Sequence, residues 1–407
     1  MQPRVWAEVD HRAIAANVRT LQSVVGPGCD LLGVVKADAY GHGLCEVAST
    51  LVHSGIRRLG VAQLAEALAL REAGITASIV LLGPLLDDEL EPAVRHDVQP
   101  TLHTLEQIGP LARACERSRR RTPLPVHLFV DTGMGRFGCS PADTLRLATA
   151  IARSERLELA GIATHLGCAD ARDPRPTERQ LAHFSELLLA LARRGLRPPL
   201  AHAAASAALL RFPSARHELC RPGLALYGVD PRGARARGIE LRPALRLCSR
   251  LVLLKHLPAG ASVGYGARWR APRPTRLGVV ACGYHDGYPV ALSGEGDPDR
   301  AGRVLVRGHS AAVLGRVSMD ALAIDLTEIP EARAGDTVTL LGRDGEQRLL
   351  VEQLAHRAGT IPYELLCRIG PRVERRHLHR PAPPRPSGQP GRRSARPHPR
   401  NAPTMAR

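Results

Sequence analysis

Of the 56 basic residues in this 407-residue chain only two are lysine, Lys36 and Lys255. Wherever a positive charge suffices, the chain uses arginine. A retained lysine is therefore a candidate for chemistry that a guanidinium cannot do, because an amine can shed its proton and attack a carbonyl. Lys36 follows the apolar run Leu31-Leu32-Gly33-Val34-Val35 at the end of a strand, the position where barrel enzymes keep catalytic groups. Lys255, in Leu251-Val252-Leu253-Leu254-Lys255-His256, reads as a surface charge on an edge-like strand. The six tyrosines (Tyr40, Tyr227, Tyr265, Tyr284, Tyr288 and Tyr363) lie mostly beside glycine or polar residues rather than in apolar stripes. Nine scattered cysteines form no Cys-x-x-Cys, which argues against a zinc site and fits a reduced, cytoplasmic protein. Gly-x-Ser-x-Gly, His-Glu-x-x-His and Gly-x-x-x-x-Gly-Lys do not occur.

The surroundings of Lys36 continue as Val34-Val35-Lys36-Ala37-Asp38-Ala39-Tyr40-Gly41-His42-Gly43. Further along come Asp131-Thr132-Gly133-Met134-Gly135-Arg136-Phe137-Gly138, Thr164-His165-Leu166, His202-Ala203-Ala204-Ala205-Ser206 and Arg221-Pro222-Gly223-Leu224-Ala225-Leu226-Tyr227-Gly228. Val263-Gly264-Tyr265-Gly266, Gly283-Tyr284-His285-Asp286-Gly287, Gly315-Arg316-Val317-Ser318-Met319-Asp320 and Tyr363-Glu364 complete the series. In this order, over about residues 4–375, the chain resembles the alanine racemase family, whose fold is of type III among pyridoxal-phosphate enzymes.

The resemblance implies an isomerase that interconverts L-alanine and D-alanine, supplying D-alanine for peptidoglycan. Pyridoxal 5′-phosphate (PLP) would be carried on Lys36 as an imine and would acidify the substrate Cα–H, while the protein positions it and supplies proton carriers. Racemisation needs a base on each face: Lys36 on one, and on the other Tyr265, which in the family comes from the partner subunit of a homodimer with shared active sites. A phenol is a poor base near neutral pH, so nearby cations would have to favour its phenolate. Arg221 would face the pyridine nitrogen and leave it unprotonated, with His165 bracing the guanidinium. Tyr40, Ser206 and Tyr363 would hold the phosphate with the backbone N–H groups of Gly223 and Leu224; Gly223 permits the close approach. Arg136 and Met319 would bind the substrate side, with Asp320 nearby.

Four positions depart from the family pattern. Phe129 stands where a lysine is usually carbamylated and orients the substrate-binding arginine. Ala205 replaces an asparagine ahead of Ser206, His285 replaces a small residue in Gly-Tyr-x-Asp-Gly, and Pro362 precedes Tyr363. Lys36, Tyr265 and Arg221 are all in place. The alternatives are a PLP-dependent racemase of another amino acid with relaxed specificity, or a catalytically impaired PLP-binding protein.

These residues must be held by an ordered scaffold. Strand-like runs at 31–35, 59–62, 78–82, 98–102, 126–130, 159–164, 200–204 and 219–226 alternate with amphipathic stretches, one of them capped by Asp10 and stopped by Gly26, another over 180–194. Eight strand-then-helix units predict a parallel (β/α)8 TIM-type barrel, an α/β fold. After about residue 236 helical periodicity fades into short β-like runs with one helix over 351–358, predicting a C-terminal mostly-β domain. The expected division is an N-terminal strand over 1–9 that pairs with the β domain, a PLP-binding barrel over 10–235, the β domain over 236–377 and a basic tail over 378–407.

The net charge of +17 at first suggests a nucleic-acid binder. Residues 372–407, however, hold ten arginines and one acid, which is +9, leaving +8 spread over the rest. The Pro/Arg/Ser-rich part from Pro381 reads as disordered, and the distribution argues against nucleic acid as the partner. The absence of a run of about 18 apolar residues excludes a spanning helix.

Overall fold

The apolar runs of the first half are too continuous for strands exposed on one face; parallel strands under helices bury both. The computed structural model describes residues 3–231, 234–296 and 301–380. After β1 (Val5–Asp10), the chain builds β2 (Asp30–Val34), β3 (Arg58–Val61), β4 (Ser78–Leu81), β5 (Val98–Leu102), β6 (Leu124–Phe129), β7 (Leu157–Ala163), β8 (Leu200–His202) and β9 (Leu219–Cys220). The last eight form one parallel sheet in the order β8-β7-β6-β5-β4-β3-β2-β9. The sheet closes through a single bridge between Ala205 and Arg221, with Arg221 N donating to Ala204 O at 2.8 Å. Closure therefore falls on residues that lie just beyond the strands, where the functional motifs begin.

Two expectations need correction. The strand read over 219–226 is only Leu219–Cys220; Leu224–Tyr227 is a 3-10 turn. Pro222 cannot donate to a ladder, and the backbone turns to place the N–H groups of Gly223 and Ala225 on Ser206 Oγ. The helix expected from residue 180 begins earlier, at Arg175–Arg193, with Pro176 accommodated in its first turn. The helix His11–Val25 agrees with its reading: Asp10 Oδ1 accepts from Arg12 N and Ala13 N, and Gly26 ends it.

In the second half β10 (Leu245–Leu257) pairs with Thr275–Val280, and the ladder continues through Leu322–Asp325, His309–Leu314, Arg303–Val306 and Thr337–Asp344. Thr337–Asp344 pairs back with β10, so these six antiparallel strands close into a second, smaller barrel. β1 runs antiparallel to β10 and parallel to Glu374–Leu378, a strand absent from the sequence reading. Lys255 is exposed on the part of β10 that reaches Thr275–Val280.

The basic C-terminal segment is partly structural. Arg372 bridges Asp286 and Asp320, Arg375 donates to the carbonyls of Gly41, Ile369, Gly370 and Val373, and Arg376 lies 4.9 Å over the Trp6 ring. The stretch read as disordered, from Pro381, lies outside the described residues. Among the described residues no helix is long and apolar enough to cross a membrane.

Candidate active site

Lys36 stands directly after β2, where Val35 N still bonds to Gly60 O of the neighbouring strand. The chain then makes one left-handed helical turn: Ala37, Asp38, Ala39 and Tyr40 have φ of 52°, 54°, 52° and 54°. For residues with a Cβ this conformation costs about 1–2 kcal/mol each, and it persists only where the surroundings impose it. Here they do. Glu66 accepts from Ala37 N at 2.6 Å, Asp38 accepts from Leu44 N at 2.8 Å, and His42 Nδ1 donates to Tyr40 O at 2.9 Å. Burial, reinforced by the positive field of Arg136, holds the Lys36 amine below its ordinary pKa, which favours the neutral, nucleophilic form.

Arg221 is buried in the barrel mouth and held by neutral acceptors. NH1 donates to His202 Nδ1 at 2.9 Å and His202 O at 2.5 Å; NH2 donates to Thr164 O at 2.7 Å and Ala203 O at 3.3 Å. The predicted brace, His165, is the more distant one, with Nδ1 at 3.5 Å. His202 is nearer because it ends β8, beside the closure with Arg221. Burial lowers Arg221 only to about 10, so it stays cationic, and burial beside Arg221 takes His165 to about 3, so it stays neutral. Among the described residues Arg221 Nε–H has no hydrogen-bond partner.

Tyr40 and Tyr363 converge from opposite halves of the chain, their ring centroids 5.8 Å apart. Tyr363 belongs to the short helix Pro362–Cys367, whose first turn contains Pro362. Burial raises the pKa of both phenols, so each remains a donor. Ser206 Oγ accepts from Gly223 N at 3.0 Å and Ala225 N at 3.1 Å, which leaves its own O–H to donate outward. The N–H of Gly223 is thus already used, whereas that of Leu224 opens the 3-10 turn. A Cβ at residue 223 would overlap the Tyr40 hydroxyl. An unpartnered guanidinium N–H, a free serine O–H and two phenol donors fit PLP at its ring nitrogen and phosphate.

Arg136 sits on a loop fixed by Asp131, whose carboxylate accepts from the N–H groups of Gly133, Met134 and Gly135. The Arg136 guanidinium lies 5.3 Å from the Phe137 ring, and no ion pair to it occurs among the described residues. Below it the rings continue from Phe137 to His103 and from His103 to Phe129, with centroids 5.8 and 5.6 Å apart. Phe129 thus stands at the far end of this aromatic row, separated from Arg136 by the rings of Phe137 and His103. Ala205 contributes backbone to the barrel closure, and His285 is exposed.

The chain brings Lys36, Tyr40, Arg136, His165, Ser206, Arg221, Gly223, Leu224 and Tyr363 to the barrel mouth. Tyr265 and Met319 are not brought there. Tyr265 is 70 % exposed on the turn Tyr265–Ala267 of the β half, Met319 is 52 % exposed, and the charges acting on Lys36 come from Arg136, Glu66, Cys367 and Arg221.

Residues 9–231 match the family described as alanine racemase, N-terminal domain, and residues 244–377 match alanine racemase, C-terminal domain. An alanine racemase of Halothermothrix orenii is 36 % identical over 375 residues, covering 92 % of this chain and 97 % of the relative. One of Syntrophobacter fumaroxidans is 39 % identical over 365 residues, covering 90 % and 95 %. The crystal structure of the alanine racemase from D-cycloserine producing Streptomyces lavendulae superposes with a TM-score of 0.85 at 35 % identity, covering 93 % of this chain and 98 % of that one.

Proposed function

The chain belongs to the alanine racemase family, and we propose that it interconverts L-alanine and D-alanine with Lys36 and Tyr265 as the two bases. The observation that carries the assignment of Lys36 is its place: one of two lysines in the chain stands at a barrel mouth, in the fields of Arg136 and Arg221. PLP would be held by Lys36, Arg221, Tyr40, Ser206, Tyr363 and Leu224 N–H, and when bound it withdraws electrons from the substrate Cα.

The chain's own groups do the rest. Arg136 receives the substrate carboxylate. Lys36 Nζ takes or returns the Cα proton on one face. Tyr265 Oη does so on the other, supplied with Met319 by a second copy of the chain; their exposure in the single chain supports this arrangement. Arg221 donates from Nε without giving up its proton, so negative charge is not drawn fully into the ring and side reactions are disfavoured. His165 and His202 keep that guanidinium in place. The corresponding biological role is supply of D-alanine for peptidoglycan in the cytoplasm.

The test is conversion of each enantiomer by protein loaded with PLP, followed by chiral separation. Equal mixtures reached from both sides support the reading; activity that survives both Lys36→Ala and Tyr265→Phe refutes the assignment of bases. Phe129 in place of the lysine that the resemblance implies, with no ion pair to Arg136 among the described residues, favours one second reading, a racemase with relaxed specificity, which the same assay on other small amino acids would reveal.

A further inference from the structure

A row of hydrogen bonds runs from Arg221 into the barrel interior. His202 Nδ1 lies 2.9 Å from Arg221 NH1, His202 Nε2 lies 2.9 Å from His127 Nδ1, and His127 Nε2 lies 3.2 Å from Gln99 Oε1. Every atom in the row has a forced role. A guanidinium only donates, so His202 Nδ1 must be a bare acceptor. Both imidazoles are wholly buried beside cations, and burial holds each far below its ordinary pKa, so both are neutral. Neutral His202 then carries its proton on Nε2 and donates to His127 Nδ1. That places the His127 proton on Nε2, facing Gln99 Oε1. All donors point away from Arg221, and the row ends on an acceptor. The opposite polarity would set a proton on His202 Nδ1 against the guanidinium.

The barrel makes room for this row. A Cβ at Gly161 on β7 would overlap the His127 ring, and β7 has one additional residue between Leu159 and Gly161 in its register with β6. A polar row fully satisfied along its length specifies one arrangement of the interior; leaving one group unpaired would cost about 1–3 kcal/mol.

We propose that His127 and Gln99 are positioning residues for Arg221: His127, itself fixed by Gln99, accepts the Nε2–H that the guanidinium imposes on His202 and so anchors that ring with Nδ1 against Arg221, which keeps Arg221 Nε–H turned to the cofactor side. The proposal rests on the reading of Arg221 as the partner of the PLP ring. It extends the support of that residue two side chains beyond the barrel mouth, on β5 and β6.

The experiment uses the full chain, as purified and after loading with PLP, and reads histidine ring 15N shifts together with kcat and KM for alanine. The expected result is a pyridine-type Nδ1 and a pyrrole-type Nε2 at His202. His127→Leu should disturb that pattern and lower kcat about tenfold, the size usual for loss of a group that orients a functional side chain, with KM nearly unchanged. His127→Gln should restore kcat to within about twofold, because its amide oxygen accepts from His202 and its NH2 donates to Gln99. Equal losses in the Leu and Gln variants would overturn the proposal by showing a purely spatial role, and so would a Leu variant with unchanged kcat and His202 shifts. If His127→Leu fails to fold, Gln99→Leu removes the last acceptor; unchanged shifts and kcat there also overturn it. A His202 proton found on Nδ1 defeats the proposal whatever the activity. The assigned tautomer in a protein that racemises nothing defeats instead the reading of its activity.

Discussion

In the proposed reaction the barrel mouth and the outer face of the β half act from opposite physical conditions. At the mouth, Arg221 and His202 are buried and hydrogen-bonded, and Lys36 sits on a left-handed turn whose ends are tied down by Glu66, Asp38 and His42. On the β half, Tyr265 and Met319 face solvent. The first region is preorganised inside a single chain. The second presents its groups outward and gains a low-dielectric setting only when another molecule covers it. Under the proposed function, the cofactor is held by groups of one chain, whereas completing the chemistry calls for two.

Breaking the preorganised region should have the largest effect. On the proposed assignment Lys36→Ala removes both the cofactor attachment and one base, and D-alanine formation should fall by about 10⁴-fold or more in a chiral assay. Tyr265→Phe sharpens the comparison. Its side chain is exposed, so thermal stability should stay within about 0.5 kcal/mol of wild type, while racemisation falls about 10²–10⁴-fold. A comparable loss of stability would place Tyr265 in the fold rather than at the reaction.

Acid should separate the two halves as well. Burial lowers His127 to about 3 and His42 to about 4, and holds His202 well below its ordinary 6.5. Below pH 6.5 the unfolded chain takes up protons that the folded barrel refuses until about pH 3–4. Their contribution is therefore present above 6.5 and is lost as pH falls, by up to about 1.4 kcal/mol per pH unit for each histidine. Both tryptophans, Trp6 and Trp269, lie in β-half strands, whereas the long helices surround the barrel. Between pH 7 and pH 5 the urea midpoint by ellipticity should fall ahead of that by tryptophan fluorescence; a midpoint that does not move refutes the histidine account.

The smallest expected effect concerns Arg136. Phe129→Lys offers it the carbamylated partner that the family resemblance implies, and KM for alanine should fall about threefold in bicarbonate buffer, an effect of roughly 0.6 kcal/mol. An unchanged or higher KM would mean that the Phe137 ring already places Arg136.

Much of this arrangement is legible in the residues themselves. Strongly apolar runs flanked by helical periodicity mark the barrel strands, since burial on both faces leaves no other pattern. Lys36 stands out through the scarcity of lysine. Other features depend on contacts between distant segments. The left-handed turn is made of Ala, Asp, Ala and Tyr, residues that do not announce it, and Glu66 and Arg375, which support it, are remote in sequence. Glu374–Leu378 reads as polar surface, and it is a strand because β1 offers it a ladder. His202 is visible within its motif, yet its bond to Arg221 arises only where the barrel closes.

The most direct test of the shared site is complementation. Equal amounts of the Lys36→Ala and Tyr265→Phe chains, each nearly inactive alone, are mixed and allowed to exchange. Half of the dimers should then be mixed, each with one site of two intact, so activity should rise to about a quarter of wild type. If a tagged partner shows that mixed dimers have formed but activity stays at the sum of the two variants, Lys36 and Tyr265 do not meet across two copies of the chain.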